Sequence, residues 1–566
     1  RSQVTAAELA AATRRRIDPA TGESLPDTNP DGTPKIDYDA VDANGIPILR
    51  MRTAGGEIVH GDLTAIVDGY NGTVSGTPSS VDTGQFREFS ILFHDELKAV
   101  QAFAELDQET FHGVRDGFGI NYGAAGMGAE LLANRKKLGP AKDCTECRFE
   151  EFFLESWANG DPALLVERDA AGNPNADLFP DDPSNVYHGY LGDPVRFRNI
   201  HVGPKETHVF HLHAHQWLHA PAEDESTYLD SQTIGPGSSF TYDINYGGGG
   251  NRNLTVGDAI FHCHLYPHFA QGMWALWRNH DVFEDGGTTR RLPDGEIAGG
   301  VPSPAIVPLP RRAMPPMPTW TPTTVALPGG GSVVRPALPG FPFYIAGVPG
   351  HRPPQPPLDV LHDGGLQRHV VLDVPEAIRG ARGEFDTELV RADVKLLPPN
   401  GTPAEVAAMD FHAGSFPLAQ SDTTLYGWPG KSYPAFTPEG NAARFVVNGL
   451  QPKAGAPFAD PCPPGAPMRT YKAAYLQQDV TVNTAGWHDP QARFVVLNQD
   501  VDATRAGTRP VEPFFFRANS GDCNEYQATN MIPSVLEADD FQIFTPTDTI
   551  GQHIHLVKFD VTASDG

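Results

Sequence analysis

The segment HCHLYPHFAQGM places one thiol, three imidazoles and one thioether close together in the chain. Cys263 is followed five positions later by His268 and ten positions later by Met273. Two imidazoles, a thiolate and a weak axial thioether are the donor set of a type 1 electron-transfer copper. The second imidazole must come from elsewhere, and the upstream segment HVFHLHAH offers His208. These residues predict a type 1 copper site.

The histidines on either side of Cys263 predict a second metal site behind the first. On an extended strand, the two neighbours of a residue point to the opposite face of the sheet, so His262 and His264 face away from the thiol. By the same period of two, His211 and His213 share one face. A closed zinc site would take four ligands and leave these surplus imidazoles unused. The pattern therefore predicts a copper cluster within reach of the backbone of Cys263.

The two segments together, HxxHxH followed by HCHxxxHxxxxM, resemble the paired signature of the multicopper oxidases, the family of laccases, ceruloplasmin and bacterial manganese oxidases. The resemblance covers residues 193–285 well and the rest of the chain loosely. It implies a type 1 copper, and type 2 and type 3 coppers in a trinuclear cluster. The implied type 1 ligands are His208, Cys263, His268 and Met273; the implied type 2 ligand is His211, and the implied type 3 ligands are His213, His262 and His264.

The family's trinuclear cluster takes eight imidazoles, and these two segments supply four. Outside them the sequence contains one more HxH pair, His553 and His555 in DTIGQHIHLVKFD. We expect a second polypeptide to supply the missing HxH pair and the terminal strands, and a chain that is one piece of a longer or processed protein is the alternative. A competing alignment sets Ile550 where His208 stands and makes the site a degenerate duplicate without type 1 copper.

The elements that must position these ligands are strands. The chain of 566 residues is rich in turn formers, with 58 Gly and 53 Pro, and exceeds what one hydrophobic core usually organises. We predict an all-β chain of tandem cupredoxin-like domains, which are Greek-key β-sandwiches, with long loops. The predicted divisions are an N-terminal extension or end of an upstream domain at 1–75, a copper domain at 76–287, a Pro/Gly-rich linker at 288–360 and an incomplete second cupredoxin-like domain at 361–566. A short helix is expected within 5–15.

Charge and cysteine usage limit the partners and the compartment. The net charge of −28 makes nucleic acid and anionic membrane surfaces poor partners and would attract cations. No run of apolar residues is long enough for a transmembrane helix. Cys144 and Cys147 form a CxxC that suits either a disulfide or a redox or zinc half-site, and Cys462 and Cys523 can form a second bridge. An even remainder of cysteines agrees with an extracytoplasmic location: secreted, periplasmic or cell-surface.

The resemblance implies four coppers per complete assembly and a division of labour between them. A reducing substrate would give electrons one at a time through the edge of His208 or His268, and these would cross Cys263 to His262 and His264. Dioxygen would be reduced to water at the cluster. Carboxylates in the loop after the first segment suit Mn(II) or Fe(II), although a solvated acidic loop fits equally well. These carboxylates are Glu223, Asp224, Glu225 and Asp230.

Three other functions stay open at this point. A phenol-oxidising laccase is the close alternative to a metal oxidase. A copper nitrite reductase would keep only one histidine beside the type 1 cysteine, so His262 and His264 together argue against it. A noncatalytic copper-binding or electron-transfer subunit is compatible with the missing imidazole pair.

Overall fold

The protein is described by a computed structural model. The described residues are 1–68, 84–99, 114–121, 166–168, 174–177, 186–221, 223, 225–244, 247–250, 257–265, 268, 273–287, 291–292, 301–302, 304–318, 321, 323–326, 332–335, 369–371, 394–396, 465–533 and 552–556. Among them, no helix combines the length and the apolar character needed to cross a bilayer.

Strands make up most of the regular structure in the described part of the chain. The N-terminal elements are β1 (Gln3–Val4), α1 (Ala6–Ala11), β2 (Arg15–Ile17), β3 (Ser24–Pro26), β4 (Thr64–Val67), β5 (Phe86–Ala99), β6 (Val114–Ile120), β7 (Val166–Arg168) and β8 (Pro174–Asp177). They are followed by β9 (Tyr187–Tyr190), β10 (Val195–His201), β11 (His208–Leu212), β12 (Trp217–Leu218), β13 (Tyr228–Leu229), β14 (Ser231–Ile234), β15 (Ser239–Asp243), β16 (Gly257–Cys263) and β17 (Trp274–His280).

The remaining elements are short hairpins and one further sheet. They are β18 (Arg291–Leu292), β19 (Val301–Pro302), β20 (Ala305–Ile306), β21 (Thr323–Ala326), β22 (Ser332–Arg335), β23 (His369–Val371), β24 (Val394–Leu396), β25 (Met468–Thr481), β26 (His488–Leu497), a 3₁₀ turn (Asn498–Asp500), α2 (Val501–Arg505) and β27 (Cys523–Asn530). The fold is therefore all-β, as the sequence predicts.

Two five-stranded sheets pack face to face and form the sandwich that carries the two histidine-rich segments, 208–215 and 262–273. One has the order β15-β10-β5-β4, with β6 also paired to β5, and the other has the order β14-β11-β16-β17-β9. Most neighbours are antiparallel, whereas β10 with β5 and β17 with β9 are parallel. Aromatic side chains at alternate strand positions fill the space between the sheets, including Phe89, Phe197, Phe210, Phe261 and Trp277, all of them buried. Burying such large apolar surfaces is the main stabilising contribution to a sandwich core.

The N-terminal segment packs against the same sandwich. Strand β4 pairs with β5 and so lies at the edge of the first sheet. Further upstream, Val4 and Leu9 belong to a second buried cluster with Phe283 and Ile306, and β1 pairs with β20. Residues 1–68 are thus tied to residues 283–317. The domain boundaries drawn from the sequence stay a prediction.

The helix expected within 5–15 is present but shorter. The side chain of Thr5 accepts a hydrogen bond from the backbone N–H of Glu8, and the carboxylate of Glu8 accepts one from the backbone N–H of Thr5, so a capping box begins the helix. The helix ends at Ala11, since Thr13 bridges to Ile36 and the following residues form β2. Pairing of the chain with the next segment overrides the local helical preference.

A second, smaller sheet lies near the other end of the described chain. Its order is β26-β25-β27, and its buried core consists of Ala474, Leu476, Val496 and Val501. Within 534–556 the described part is the stretch 552–556, which carries His553 and His555. The side chains of Tyr475 and Gln552 are hydrogen-bonded, which connects this stretch to β25.

Candidate metal centre

Two neighbouring strands, β11 and β16, supply donors to both of their faces. They pair antiparallel with Phe210 opposite Cys263 and His211 opposite His262. Phe210 and Cys263 belong to the buried core between the sheets. His211 and His262, one position along each strand, must therefore face away from that core. The alternation expected from the sequence is present, and it produces two separate donor sets.

The inner set consists of His208, Cys263 and His268. The Nδ1 atoms of the two imidazoles are 3.0 Å apart, and the Sγ atom of Cys263 lies 3.8 Å from Nδ1 of His208 and 3.5 Å from Nδ1 of His268. Two nitrogen donors bound to one metal at about 2.0 Å lie roughly 2.8 to 3.5 Å apart, and a sulfur donor at about 2.3 Å lies roughly 3.0 to 3.8 Å from each nitrogen. The observed spacings fit a single metal ion held by two nitrogens and one sulfur.

Met273 lies beside this set, next to Cys263. The backbone N–H of Cys263 donates to the carbonyl of Met273 at 3.0 Å, and the N–H of Met273 donates to the carbonyl of His268 at 3.1 Å. Met273 is completely buried in the same core as Cys263. The thioether-bearing residue therefore lies beside the strand that carries the thiol.

The protonation of the inner set suits metal binding. Cys263 is a free, buried thiol, and burial raises its pKa to about 11. Burial, with the neighbouring His201 and His268, lowers the pKa of His208 to about 3. The imidazole is therefore neutral at physiological pH and offers a lone pair. The thiol would lose its proton when a metal cation binds.

The Nε2 edge of His268 contacts a partly exposed carboxylate. Its Nε2–H donates to Oε2 of Glu206 at 3.0 Å, and the side chain of Glu206 is 36% exposed. Phe118 stacks on the imidazole with ring centroids 4.0 Å apart. Burial lowers the pKa of His268, and Glu206 opposes that shift. This carboxylate fixes the tautomer that leaves Nδ1 free for a metal.

The distal side of His208 is buried rather than exposed. Its Nε2 atom lies 3.8 Å from Oδ2 of Asp95, and the ring of His201 stacks on it at 4.5 Å. Oδ2 of Asp95 accepts from the backbone N–H of Glu206 at 2.8 Å. Of these two imidazoles, His268 is therefore the one that contacts a partly exposed side chain.

The outer set contains six imidazoles that meet in three pairs through their Nε2 atoms. These separations are 2.9 Å for His211 and His553, 3.1 Å for His213 and His262, and 3.1 Å for His264 and His555. They fall within the roughly 2.8 to 3.5 Å expected for two nitrogen donors on one metal. The structure therefore brings together every histidine that the sequence assigned to the cluster.

Hydrogen bonds at Nδ1 direct three of these imidazoles. His211 donates to the carbonyl of Asp230 at 2.8 Å, His262 donates to the carbonyl of Cys263 at 2.9 Å, and His555 donates to the carboxylate of Asp230 at 3.1 Å. In each neutral ring the Nε2 atom then carries a lone pair aimed at a second imidazole. A cation between the two nitrogens would satisfy this arrangement, and copper suits imidazole donors.

Burial lowers the pKa of four imidazoles in this cluster. It lowers the pKa of His262 to about 3 and lowers the pKa values of His211 and His213 well below the usual range, with the neighbouring imidazoles adding to the shift for both. His264 is more exposed, and its pKa is also lowered, mainly by burial. The cluster therefore extends from the buried sheet face to an open side at His264.

The fourth histidine of the first segment, His215, has a structural role. Its Nδ1–H donates to the carbonyl of His213 at 2.9 Å, and its Nε2 accepts from the backbone N–H of Gly250 at 3.1 Å. Its ring packs on Trp277. Both nitrogens are occupied, so it holds the end of the metal-binding segment in place.

The acidic residues predicted to bind substrate occupy different environments. Glu223 and Glu225 are exposed, whereas Asp224 lies outside the described residues. Asp230 is only 6% exposed, and its carboxylate accepts hydrogen bonds from His555 and from the backbone N–H of Leu556. This placement does not fit the expected surface cation site, since the carboxylate is buried against the imidazole cluster.

Sequence reasoning missed Glu206, Asp95 and Ser231. Glu206 lies two residues before His208 in a turn, and nothing in its spacing signals contact with His268. Ser231 begins β14 beside His211, where its hydroxyl is 3.1 Å from Nδ1 of that ring. The disulfides expected from the sequence stay predictions, because Cys144, Cys147 and Cys462 lie outside the described residues.

Comparison with known proteins gives similarity to copper proteins over a small part of the chain. A multicopper oxidase from Campylobacter jejuni, described as a metallo-oxidase, is 14% identical with a TM-score of 0.14, and the match covers 20% of this chain and 29% of that one. A multicopper oxidase from Aquifex aeolicus is 16% identical with a TM-score of 0.15, covering 20% and 28%. A copper nitrite reductase from Nitrosomonas europaea is 17% identical with a TM-score of 0.15, covering 20% and 47%.

These matches span less than half the length of the solved structures concerned. No family model matches the chain, and no curated protein does. A similarity of this extent carries no argument about activity. The functional interpretation therefore depends on the donor geometry of this chain.

Proposed function

We propose that the protein is a multicopper oxidase that couples one-electron oxidation of a reducing substrate to the reduction of dioxygen to water. The observation that carries this proposal is the pair of donor sets on opposite faces of β11 and β16. A nitrogen and sulfur set lies inside the sandwich, and an all-imidazole set lies directly behind it. An electron-transfer protein with a single copper would need only the first set.

His208, Cys263 and His268 would hold a type 1 copper, with Met273 as the weak axial ligand. Copper in the two sets would supply one-electron transfer on the inner side and the four-electron reduction of dioxygen on the outer side. The sandwich core fixes the inner residues before a metal arrives. Such preorganisation is what a rapid electron-transfer site requires, since little must move when its charge changes.

Cys263 joins the two sets through very few bonds. Its backbone continues directly to His262 and His264, and its carbonyl also accepts the Nδ1–H of His262 at 2.9 Å. One path is covalent, and the other crosses that hydrogen bond. Both lead from the inner sulfur to imidazoles whose Nε2 atoms meet other rings of the cluster.

The outer set holds six imidazoles in three pairs. The pair His211–His553 would serve a type 2 copper, and the pairs His213–His262 and His264–His555 would each serve one of two type 3 coppers. We propose that an HxH segment in a second polypeptide supplies a third imidazole to each of the two type 3 pairs. These two additional imidazoles would complete the eight that a trinuclear cluster of this family takes. The exposure of His264 leaves that side of the cluster accessible.

The reductant that fits the inner edge best is a divalent cation such as Mn(II) or Fe(II). Glu206 offers a partly exposed carboxylate bonded to His268, and hard oxygen donors suit such cations. The exposed Glu223 and Glu225, together with a net charge of −28, would raise the local cation concentration. A phenol would gain less from these charges, so we place laccase activity second. An extracytoplasmic location is part of the same proposal.

The outer set also separates this proposal from the alternatives. A copper nitrite reductase or a noncatalytic electron-transfer subunit has no use for six imidazoles that meet in pairs. Each of those functions would leave His553 and His555 without a role, although both lie within 3.1 Å of a partner ring.

The test is the copper content and oxygen consumption of the full assembly. The purified assembly is loaded with copper under reducing conditions and assayed with Mn(II), Fe(II) and a phenol. We expect four coppers per assembly, a blue absorption band and oxygen uptake without release of hydrogen peroxide. A single bound copper, with no oxygen uptake on any of the three reductants, would refute the oxidase and favour an electron-transfer subunit.

A further inference from the structure

We infer that Asp230 and Ser231 form a clamp that orients His211 and His555 and docks the segment 552–556 onto the sandwich. This inference rests on the proposed function in one respect, which is the expected effect on copper binding by the outer set. The docking itself is a property of the polypeptide. Both residues act through the imidazoles and are positioning residues.

The clamp is itself fixed in the sheet. Ser231 pairs with His211 across β14 and β11, and the carbonyl of Asp230 accepts from the backbone N–H of Leu212 at 3.1 Å. The same carbonyl accepts the Nδ1–H of His211 at 2.8 Å. One backbone oxygen thus holds both the strand and the ring that the strand presents.

The side chains of the clamp face the distant segment. A carboxylate oxygen of Asp230 accepts from Nδ1 of His555 at 3.1 Å, and the other accepts from the backbone N–H of Leu556 at 2.7 Å. The hydroxyl of Ser231 lies 3.3 Å from the same Nδ1 of His555. Both oxygens of one buried carboxylate therefore contact two consecutive residues that lie 325 and 326 positions further along the chain.

The conformation of Leu556 supports the same conclusion. Its φ of +57° lies in the left-handed region, which a residue with a Cβ adopts at a cost. Its side chain is 50% exposed, so burial of that side chain does little to compensate. The hydrogen bond from its N–H to Asp230 is a directed, charge-assisted contact that favours this conformation.

The position of Asp230 separates it from the other acidic residues of its loop. The side chain of Asp230 is 8% exposed, whereas Glu223 and Glu225 are both exposed. A buried carboxylate whose two oxygens already accept hydrogen bonds is poorly placed to take a cation from solution. Glu225 therefore provides a matched control, because its neutralisation changes the charge of the same loop without touching the clamp.

The test is hydrogen exchange of the peptide containing 552–556 in the full chain, without copper, for wild type, Asp230→Asn and Glu225→Gln. Asparagine keeps one acceptor but replaces the other oxygen with a donor, so either the N–H of Leu556 or the Nδ1–H of His555 loses its acceptor. We expect exchange in this peptide to accelerate about tenfold or more in Asp230→Asn, as expected for losing a hydrogen bond to a charged group. Glu225→Gln should stay within about twofold of wild type.

Copper binding gives an independent readout. In Asp230→Asn, and also in Ser231→Ala, the affinity of the outer set for copper should fall about 10- to 100-fold while the blue band of the inner set is retained. If Asp230→Asn does not fold, Ser231→Ala decides the question by this measurement. Unchanged exchange in Asp230→Asn, or an unchanged outer-set affinity in Ser231→Ala, would overturn the clamp. If wild type binds copper only at the inner set, the oxidase proposal fails, whereas the exchange comparison still decides the docking.

Discussion

The two donor sets of this protein differ in what holds them together. The inner set joins His208 and Cys263, which lie 55 residues apart on adjacent strands of one sheet and are both buried. The outer set joins His211 to His553 across 342 residues, and its open side is exposed at His264. One centre is a product of the sandwich core, whereas the other depends on a distant segment that docks on the surface of that core.

This difference separates stability from assembly. The core that aligns Cys263 also contains Phe210, Phe261 and Trp277, so the inner donors stay aligned as long as the sandwich is folded. The outer donors require closure of a long loop, which costs conformational entropy that a few hydrogen bonds must offset. The two centres should therefore be separable by mutation.

The largest effect is expected from Cys263→Ser, which breaks the inner centre and the connection to the outer one. Serine removes the sulfur donor without a large change of volume, so the sandwich should remain folded. The blue band should disappear, and oxygen uptake should fall by more than the roughly 10- to 100-fold typical of changes next to a metal ligand. Visible absorption and oxygen consumption check both; retained uptake would contradict the proposed path through Cys263.

The double variant His553→Gln/His555→Gln should break the outer centre alone. Oxygen uptake should be lost, because two of the three imidazole pairs lose a member, while the blue band stays close to that of wild type. Copper content measured beside visible absorption gives the comparison. If the blue band is lost as well, the two centres are not independent of each other.

Acidification should destabilise the metal-free chain through its buried imidazoles. Burial lowers the pKa of His262 to about 3 and the pKa of His215 to about 4, so both rings are neutral in the folded state and bind protons on unfolding below about pH 6.5. The stability that these two neutral rings contribute is therefore fully present above about pH 6.5. It is lost as the pH falls toward their folded-state pKa values, about 4 for His215 and about 3 for His262. Each ring contributes about 1.4 kcal/mol per pH unit in this window.

The free energy of unfolding, measured with denaturant at about pH 7.5, 6 and 5, checks the prediction, because the first value lies above this window and the other two lie within it. His215→Gln offers a comparison, since glutamine can replace both hydrogen bonds without titrating. A shallower pH dependence in this variant is expected, and an identical one would show that His215 does not contribute.

A smaller effect is expected from Glu206→Gln, which removes the charge next to His268. The amide still accepts the N–H of His268 but loses the charge that would attract a cation. The kcat/KM for Mn(II) or Fe(II) should fall about tenfold, with little change for a neutral phenol. Equal losses for cations and phenol would refute a cation site at Glu206.

The sequence predicted the metal-binding strands because their pattern is local. The period of two along His208–His213 and His262–His264 fixes which side chains share a face, and the structure has that alternation. It did not predict that Glu206 meets His268, since this contact depends on how the turn before β11 folds back. Asp230 was misjudged for a similar reason: an acidic residue in an acidic loop gives no local sign of burial.

The candidate donors and the face that each one occupies follow from the sequence alone, because residue type and strand period are properties of a few neighbouring positions. The pairing of the imidazoles, the edge of the inner set that contacts a partly exposed side chain and the contact of Asp230 with the segment 552–556 are visible only in the folded chain. Those outcomes depend on how sheets pack and loops close over hundreds of residues, and no local pattern records them.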